Sequence, residues 1–221
     1  MITDYKDIHK DERCFIMGCG PSLNRLDLTN LKNEIVFGVN SVYHIWKKYN
    51  HNTIKFKYYC IGDKKVWMRE FKVVPLLRTT LFINNGALDL YNDDMRVYTE
   101  TKIVPLKTNK NNFHIWDDTN IENGVPIMTS VVSSLCIPLA FYMGFKDVYL
   151  IGVDCSDNPE KPHWFYGGYR EGRRPKAKFD RYFNDYKIIK DVFDRNNRNI
   201  YNATDGGDLE IFKRVKLKDV I

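Results

Sequence analysis

The sequence predicts an α/β class: a single Rossmann-like domain over residues 1–221, with a mostly parallel sheet and helices on both faces. Three observations lead there. Short apolar runs, too continuous to leave one face wet, recur along the chain. Helical patterns stand between several of them. A length of 221 residues with 43% hydrophobic and 14% aromatic content is enough to bury one core, which excludes a disordered chain.

The expected strands are Cys14–Met17, Ile35–Val39, Phe56–Ile61, Leu81–Ile83, Val97–Tyr98 with Ile103–Val104, Val148–Val153 and Asn199–Tyr201. Helices are expected over Ser41–Tyr49, Lys64–Phe71, Thr129–Met143 and Phe179–Asn196. The last carries Phe179, Tyr182, Phe183, Tyr186, Ile189 and Phe193 at three-and-four spacing, the mark of an amphipathic helix lying on a sheet. The polar stretches Lys107–Asn112 and Asp154–Arg174 read as long loops. Gly124 to Phe145 holds no charge and is long enough to span a bilayer. Its serines, its two prolines and the strand-like Val148-Tyr149-Leu150-Ile151 that follows make it a buried helix instead, so no integral membrane segment is expected.

The net charge of +6 is unevenly placed. Residues 1–160 hold 19 Lys+Arg against 19 Asp+Glu, and residues 161–221 hold 15 against 9. Arg170, Arg173, Arg174, Lys176, Lys178 and Arg181 form the densest part, in or beside a lid-like segment at about 155–178. Such a field suits phosphate, an anionic glycan or a nucleic-acid acceptor, or is a solvated loop. Five cysteines without C-x-x-C spacing favour neither a zinc site nor a disulfide framework and fit a reduced, cytoplasmic compartment. The mixed charges of the first residues resemble no secretory signal.

Chemistry gathers at a few points. Gly18-Cys19-Gly20-Pro21-Ser22-Leu23 follows the first strand, where backbone N–H groups and a helix start at Pro21 and Ser22 would suit a phosphate. Leu23 replaces the third glycine of the dinucleotide pattern and Asn40 stands in place of its acid, which disfavours NAD; a tight turn without a ligand is the plain alternative. Asn40 and Ser41 end the second strand beside that loop, to read a nucleotide or to cap the next helix. Thr129 and Ser130 open the charge-free helix, as caps or ligand contacts, and Asp154 stands at a strand end, as a ligand group or a turn-former. In His163-Trp164-Phe165-Tyr166-Gly167-Gly168-Tyr169-Arg170, His163 is the candidate general base, while Tyr166, Tyr169 and Arg170 suit leaving-group or acceptor contacts. No D-x-D motif accompanies them, so no metal is expected.

Gly18 to Leu23, Gly38-Val39-Asn40-Ser41, Gly144-Phe145 through Gly152-Val153-Asp154, and Asn202-Ala203-Thr204-Asp205-Gly206-Gly207-Asp208 on to Val215 resemble the domain shared with archaeal 6-hydroxymethylpterin diphosphokinases. The resemblance covers nearly the whole chain. The same order of blocks is similar to the bacterial lipooligosaccharide sialyltransferases of glycosyltransferase family 42, single Rossmann-like domains of GT-A-like type that use CMP-sialic acid without a metal. That resemblance implies a donor site at Gly18, Cys19, Gly20, Pro21, Ser22, Asn40, Thr129 and Ser130, with His163 deprotonating the acceptor and inversion at the sugar carbon. Three positions depart from the family pattern: its loop asparagine is Cys19, its arginine before the Thr-Ser pair is Ile127, and its leaving-group tyrosine is Ser156.

The leading expectation is a transferase moving a sugar from a nucleotide-sugar donor to a glycan or other hydroxyl acceptor in polysaccharide biosynthesis, with no cofactor. The alternatives are an ATP- and Mg²⁺-dependent diphosphokinase acting on a pterin-like alcohol, which needs carboxylates such as Asp154 and Asp157 around the metal, and a non-catalytic nucleotide- or glycan-binding module.

Overall fold

The computed structural model describes residues 1–84, 101–113, 116, 121–156, 162–168 and 176–221. Eight strands form one sheet: β1 (Arg13–Met17), β2 (Val36–Val39), β3 (Phe56–Ile61), β4 (Thr80–Asn84), β5 (Lys102–Leu106), β8 (Asp147–Ile151), β9 (Asn199–Asn202) and β10 (Lys213–Arg214). Their spatial order is β10-β9-β8-β1-β2-β3-β4-β5, and every pairing among them is parallel. This is the α/β architecture that the alternation of apolar runs and helical patterns predicts.

The order reverses at β1. From there the chain builds outward through β2 to β5, then returns to the other side of β1 to build β8, β9 and β10. Crossovers of one hand taken in opposite directions fall on opposite faces of a sheet. Accordingly two cores form. Cys14, Ile16, Val148 and Leu150 face α2 (Ile137–Tyr142) and α3 (Lys176–Arg195), burying Leu139, Tyr186, Ile189 and Phe193 with them. Phe15, Met17, Tyr149 and Ile151 face the other way, toward Leu23, Leu31, Val42, Ile45 and Trp67. Alternate residues of one strand therefore serve two layers, which is why these strands read as unbroken apolar runs.

The second face carries less regular cover than expected. Ser41–Tyr49 is a 3₁₀ turn over Val42–Lys47, and α1 (Lys64–Glu70) is a single short helix. The run Val42-Tyr43-His44-Ile45-Trp46 consists of β-branched and ring side chains that lose rotamer freedom in an α-helix, so packing pattern without propensity yields only tight turns.

Three further expectations are corrected. Lys107–Asn112 is not a loop: β6 (Thr108–Phe113) pairs in parallel with β7 (Val125–Ile127), a backbone ladder that needs no apolar periodicity. The charge-free stretch is not one helix; after β7 it passes through a π turn at Val132–Cys136 into α2. Pro138 has no N–H to give to the fourth residue before it, and the ladder widens so that Ile137 N–H reaches the Val132 carbonyl. The strand expected to run to Val153 stops at Ile151, because Gly152 turns to φ +66° and Leu23 fills the space a Cβ there would need. The strand proposed at Val97–Tyr98 lies outside the described residues. Among the described residues no helix is long and apolar enough to cross a membrane.

Candidate functional site

In an open parallel sheet the crevice outside the carboxyl ends of the strands, where the order reverses, is the natural place for a ligand. Here it lies between β1 and β8. A cavity of about 340 Å³ occupies it, walled by the segments after β1, β2 and β8, the π turn, the His163 loop, α3 and the Gly207-Asp208 turn.

The glycine segment is locked onto the end of β8. Gly18 N–H donates to the Ile151 carbonyl and Gly20 N–H to that of Gly152, both at 2.8 Å. Gly20 is required by close approach: a Cβ there would stand 1.7 Å from Asp154 Oδ2. That carboxylate accepts the Ser22 hydroxyl at 2.7 Å and the Ser22 N–H at 3.2 Å. Burial pushes the Asp154 pKa up, and the two Ser22 bonds and the Arg25 charge oppose the shift. A side chain of the protein thus already occupies the start of the 3₁₀ turn Pro21–Arg25, where the sequence suggested a phosphate. The glycines serve backbone packing, and Gly18, Gly20, Ser22 and Leu23 have all spent their N–H groups on the fold.

Asn40 adopts φ +49°, and its carbonyl accepts the Tyr59 hydroxyl at 2.6 Å. Its Oδ1 is buried and has no hydrogen-bond partner among the described residues, although Asn40 lines the cavity. Such an orphaned acceptor costs free energy unless a ligand or water donates to it. Ser130 and Ser133 cap the π turn reciprocally, with the Ser130 Oγ accepting the Ser133 N–H at 3.1 Å and the Ser130 N–H reaching the Ser133 Oγ at 3.2 Å. Cys19 donates its thiol to the Val39 carbonyl, and burial raises its pKa to about 12, which makes it a poor nucleophile.

His163 lines the same cavity. Its backbone N–H donates to the Gly168 carbonyl at 2.9 Å, and its ring meets Trp164 edge-on at 4.8 Å. The loop is tied to the glycine segment by Phe165 N–H to the Cys19 carbonyl (3.0 Å) and Asn24 Nδ2 to the Phe165 carbonyl (2.8 Å). The histidine loop is therefore anchored to the glycine segment and to the turn that follows it.

Compared with solved structures, the chain superposes on one described as the MAf glycosyltransferase from Magnetospirillum magneticum AMB-1, with a TM-score of 0.61 over 97% of this chain at 16% identity. The two share a fold. The chain spans 37% of the length of that protein. No family model matches the chain, and no curated protein matches it.

Of the residues singled out in the sequence, Gly18, Cys19, Gly20, Pro21, Asn40, Ser130, Asp154 and His163 line the cavity. Ser22 stands behind it as the partner of Asp154. Ser41 is turned away: its buried hydroxyl donates to Glu70 Oε1 at 2.5 Å and accepts from Arg69 Nη2 at 2.9 Å. Thr129 does not reach the cavity, and its N–H is held by Asp185 Oδ2 at 2.7 Å. Tyr166 also lies outside the lining, its ring packed against His44 and stacked parallel to Trp164. Tyr169, Arg170 and Asp157 lie outside the described residues. The cavity adds Arg25, Cys155, Tyr182, Tyr186, Gly207 and Asp208, which were not proposed as site residues. The tyrosines are hidden in the apolar spacing of α3, and Arg25 belongs to no motif.

Proposed function

We propose that this chain is a glycosyltransferase that moves a sugar from a nucleotide-sugar donor to a hydroxyl acceptor on a glycan, inverting and without a metal. The observation that carries this reading is the convergence of a histidine, an unpartnered amide oxygen and a hydroxyl on one cavity at the β1–β8 crevice: His163, Asn40 and Ser130. The shared fold with a protein described as a glycosyltransferase supports it, as does the resemblance to the family 42 sialyltransferases at those positions. Asn40 Oδ1 accepts a hydrogen bond from the nucleotide, and His163 removes the proton of the acceptor hydroxyl. The acceptor oxygen then bonds to the sugar carbon from the side opposite the leaving nucleotide, whose phosphate oxygen keeps the electron pair. Asp154 belongs to the scaffold of the donor side, since both of its oxygens are engaged by Ser22.

The test has two parts. Thermal-shift measurements with CMP, UDP, GDP and ATP, each with Mg²⁺ and with EDTA, are expected to show stabilisation by a pyrimidine nucleotide that survives EDTA. His163→Ala is expected to keep that stabilisation and lose turnover by about 10²–10⁴-fold. Stabilisation by ATP with Mg²⁺ alone would move the assignment to a diphosphokinase, and full turnover in His163→Ala would remove the proposed base.

A further inference from the structure

The proposed reaction leaves a negative charge on the departing nucleotide, and that charge needs a partner inside the cavity. In folds of this class the backbone N–H groups after the first strand commonly supply it. Here Gly18, Gly20, Ser22 and Leu23 have already donated theirs to Ile151, Gly152, Asp154 and Gly20, and Pro21 has none, so the segment can offer a phosphate one backbone donor, the Cys19 N–H. The described lining also holds two carboxylates, Asp154 and Asp208, that would repel a phosphate. A single permanently charged cation, Arg25, is found among the described lining residues.

We propose that Arg25 is the phosphate-binding residue of this cavity, receiving the nucleotide phosphate on the open corner of its guanidinium. The proposal rests on the nucleotide-sugar reading above and specifies how its donor is held. Arg25 ends the 3₁₀ turn that begins at Pro21, directly after the glycine segment. Its Nε donates to Asp205 Oδ2 at 2.7 Å, and its Nη2 to the Asp205 carbonyl. Nη1 makes no bond to any described residue, and half of the side chain is exposed. The guanidinium is therefore oriented on one edge and open on the other. A planar fork held in this way loses little further entropy when it binds an oxyanion.

The support beneath it is itself tied down. Arg214 donates to the carbonyls of Thr204 (3.2 Å), Gly206 (2.9 Å) and Gly207 (2.8 Å), and its Nε to Glu210. Asp208 N–H closes the same turn onto the Asp154 carbonyl at 2.8 Å. The turn that presents Asp205 to Arg25 is thus pinned from both sides.

Calorimetric titration of the full chain with CMP, UDP and GDP, and with cytidine, uridine and guanosine, tests this in wild type, Arg25→Gln and Arg25→Lys. For the nucleotide that the wild type binds, Arg25→Gln is expected to weaken affinity about 10- to 100-fold, the loss of a charged hydrogen-bonding pair, with the nucleoside changed less than about 2-fold. Arg25→Lys, which keeps the charge and gives up the fork, is expected to fall between. The wild-type dissociation constant should rise with salt more steeply than that of Arg25→Gln. Nucleotide affinity and salt dependence unchanged in both variants would overturn the proposal, as would equal losses for nucleotide and nucleoside, the mark of a purely structural ion pair. A wild type that binds none of the three nucleotides would overturn the nucleotide-sugar reading, and the proposal with it.

Discussion

Replacing Ser22 by alanine probes the joint that holds the crevice together. Ser22 is fully buried, and its hydroxyl donates to Asp154 Oδ2 at 2.7 Å. Hydrogen bonds to charged groups contribute about 1.5–3 kcal/mol net, so the loss is expected to be about 2 kcal/mol while Asp154 is ionised. In a chain of this size each kcal/mol lowers the melting temperature by about 2–4 °C, which makes the expected drop about 4–8 °C. The pH dependence gives a sharper test. Burial raises the Asp154 pKa and the Ser22 bonds oppose that, so Ser22→Ala raises it further. A raised folded-state pKa means that the native protein holds the proton more tightly than the unfolded chain. Stability linked to it is present at low pH and is lost as pH rises through the folded-state value. The variant therefore loses more than the wild type on the alkaline side. On acidification the gap narrows to about 1 kcal/mol, the contribution of a hydrogen bond between neutral groups. Thermal unfolding of both proteins followed by circular dichroism at about pH 8 and at a pH below the ordinary carboxylate value of 3.8 reads the difference directly. A gap of the same size at both pH values, or none at either, would refute the reasoning.

Three other substitutions have defined outcomes. Gly20→Ala places a Cβ 1.7 Å from Asp154 Oδ2 and 2.7 Å from the Gly152 carbonyl, so it must displace the carboxylate from Ser22; a cost of about 2–4 kcal/mol is expected in denaturant unfolding. Gly62→Ala, whose Cβ would meet nothing nearer than 3.6 Å, serves as the reference and should be nearly silent. Glu70 is buried and accepts from Ser41 Oγ, Tyr43 Oη and Arg69 Nε, and although burial raises its pKa, these bonds together hold it below the ordinary value of 4.5. Its contribution is present above that value and is lost as pH falls through the lower folded-state pKa, so Glu70→Gln should be less stable than wild type at neutral pH and lose less on acidification. An identical acid limb for the two proteins would show that Glu70 stays ionised or is unlinked to folding.

The fold was more legible than the site. Seven of the strands are legible as short runs, and β1 to β4 and β8 read as unbroken apolar ones because each is flanked by both cores and leaves no polar face to break the pattern, as at Phe15 and Ile16. The strand Thr108–Phe113 was not visible, since a backbone ladder can form from Thr, Asn and Lys, and neither was the two-residue β10. At the site, glycines and a strand-end asparagine point to the cavity at the β1–β8 crevice, and the structure gives the glycines a packing role. They bring β1 and β8 together around Asp154 and do not present free N–H groups. Ser41 and Tyr166 both turn toward the Glu70 and His44 side, Ser41 because consecutive residues leaving β2 point in different directions and Tyr166 because its ring packs on His44.

By itself the sequence determined the class of the fold, the number of apolar layers and the glycine segment that borders the cavity, because these follow from periodicity and from local turn chemistry. Only the tertiary structure decided which donors are spent and which remain available. Ser22 and Asp154 are 132 positions apart and Arg25 and Asp205 are 180 apart, and no local pattern announces either pair. Each exists because the sheet order reverses at β1 and brings the ends of β1, β8 and β9 together, so the charge balance of the cavity is a property of topology.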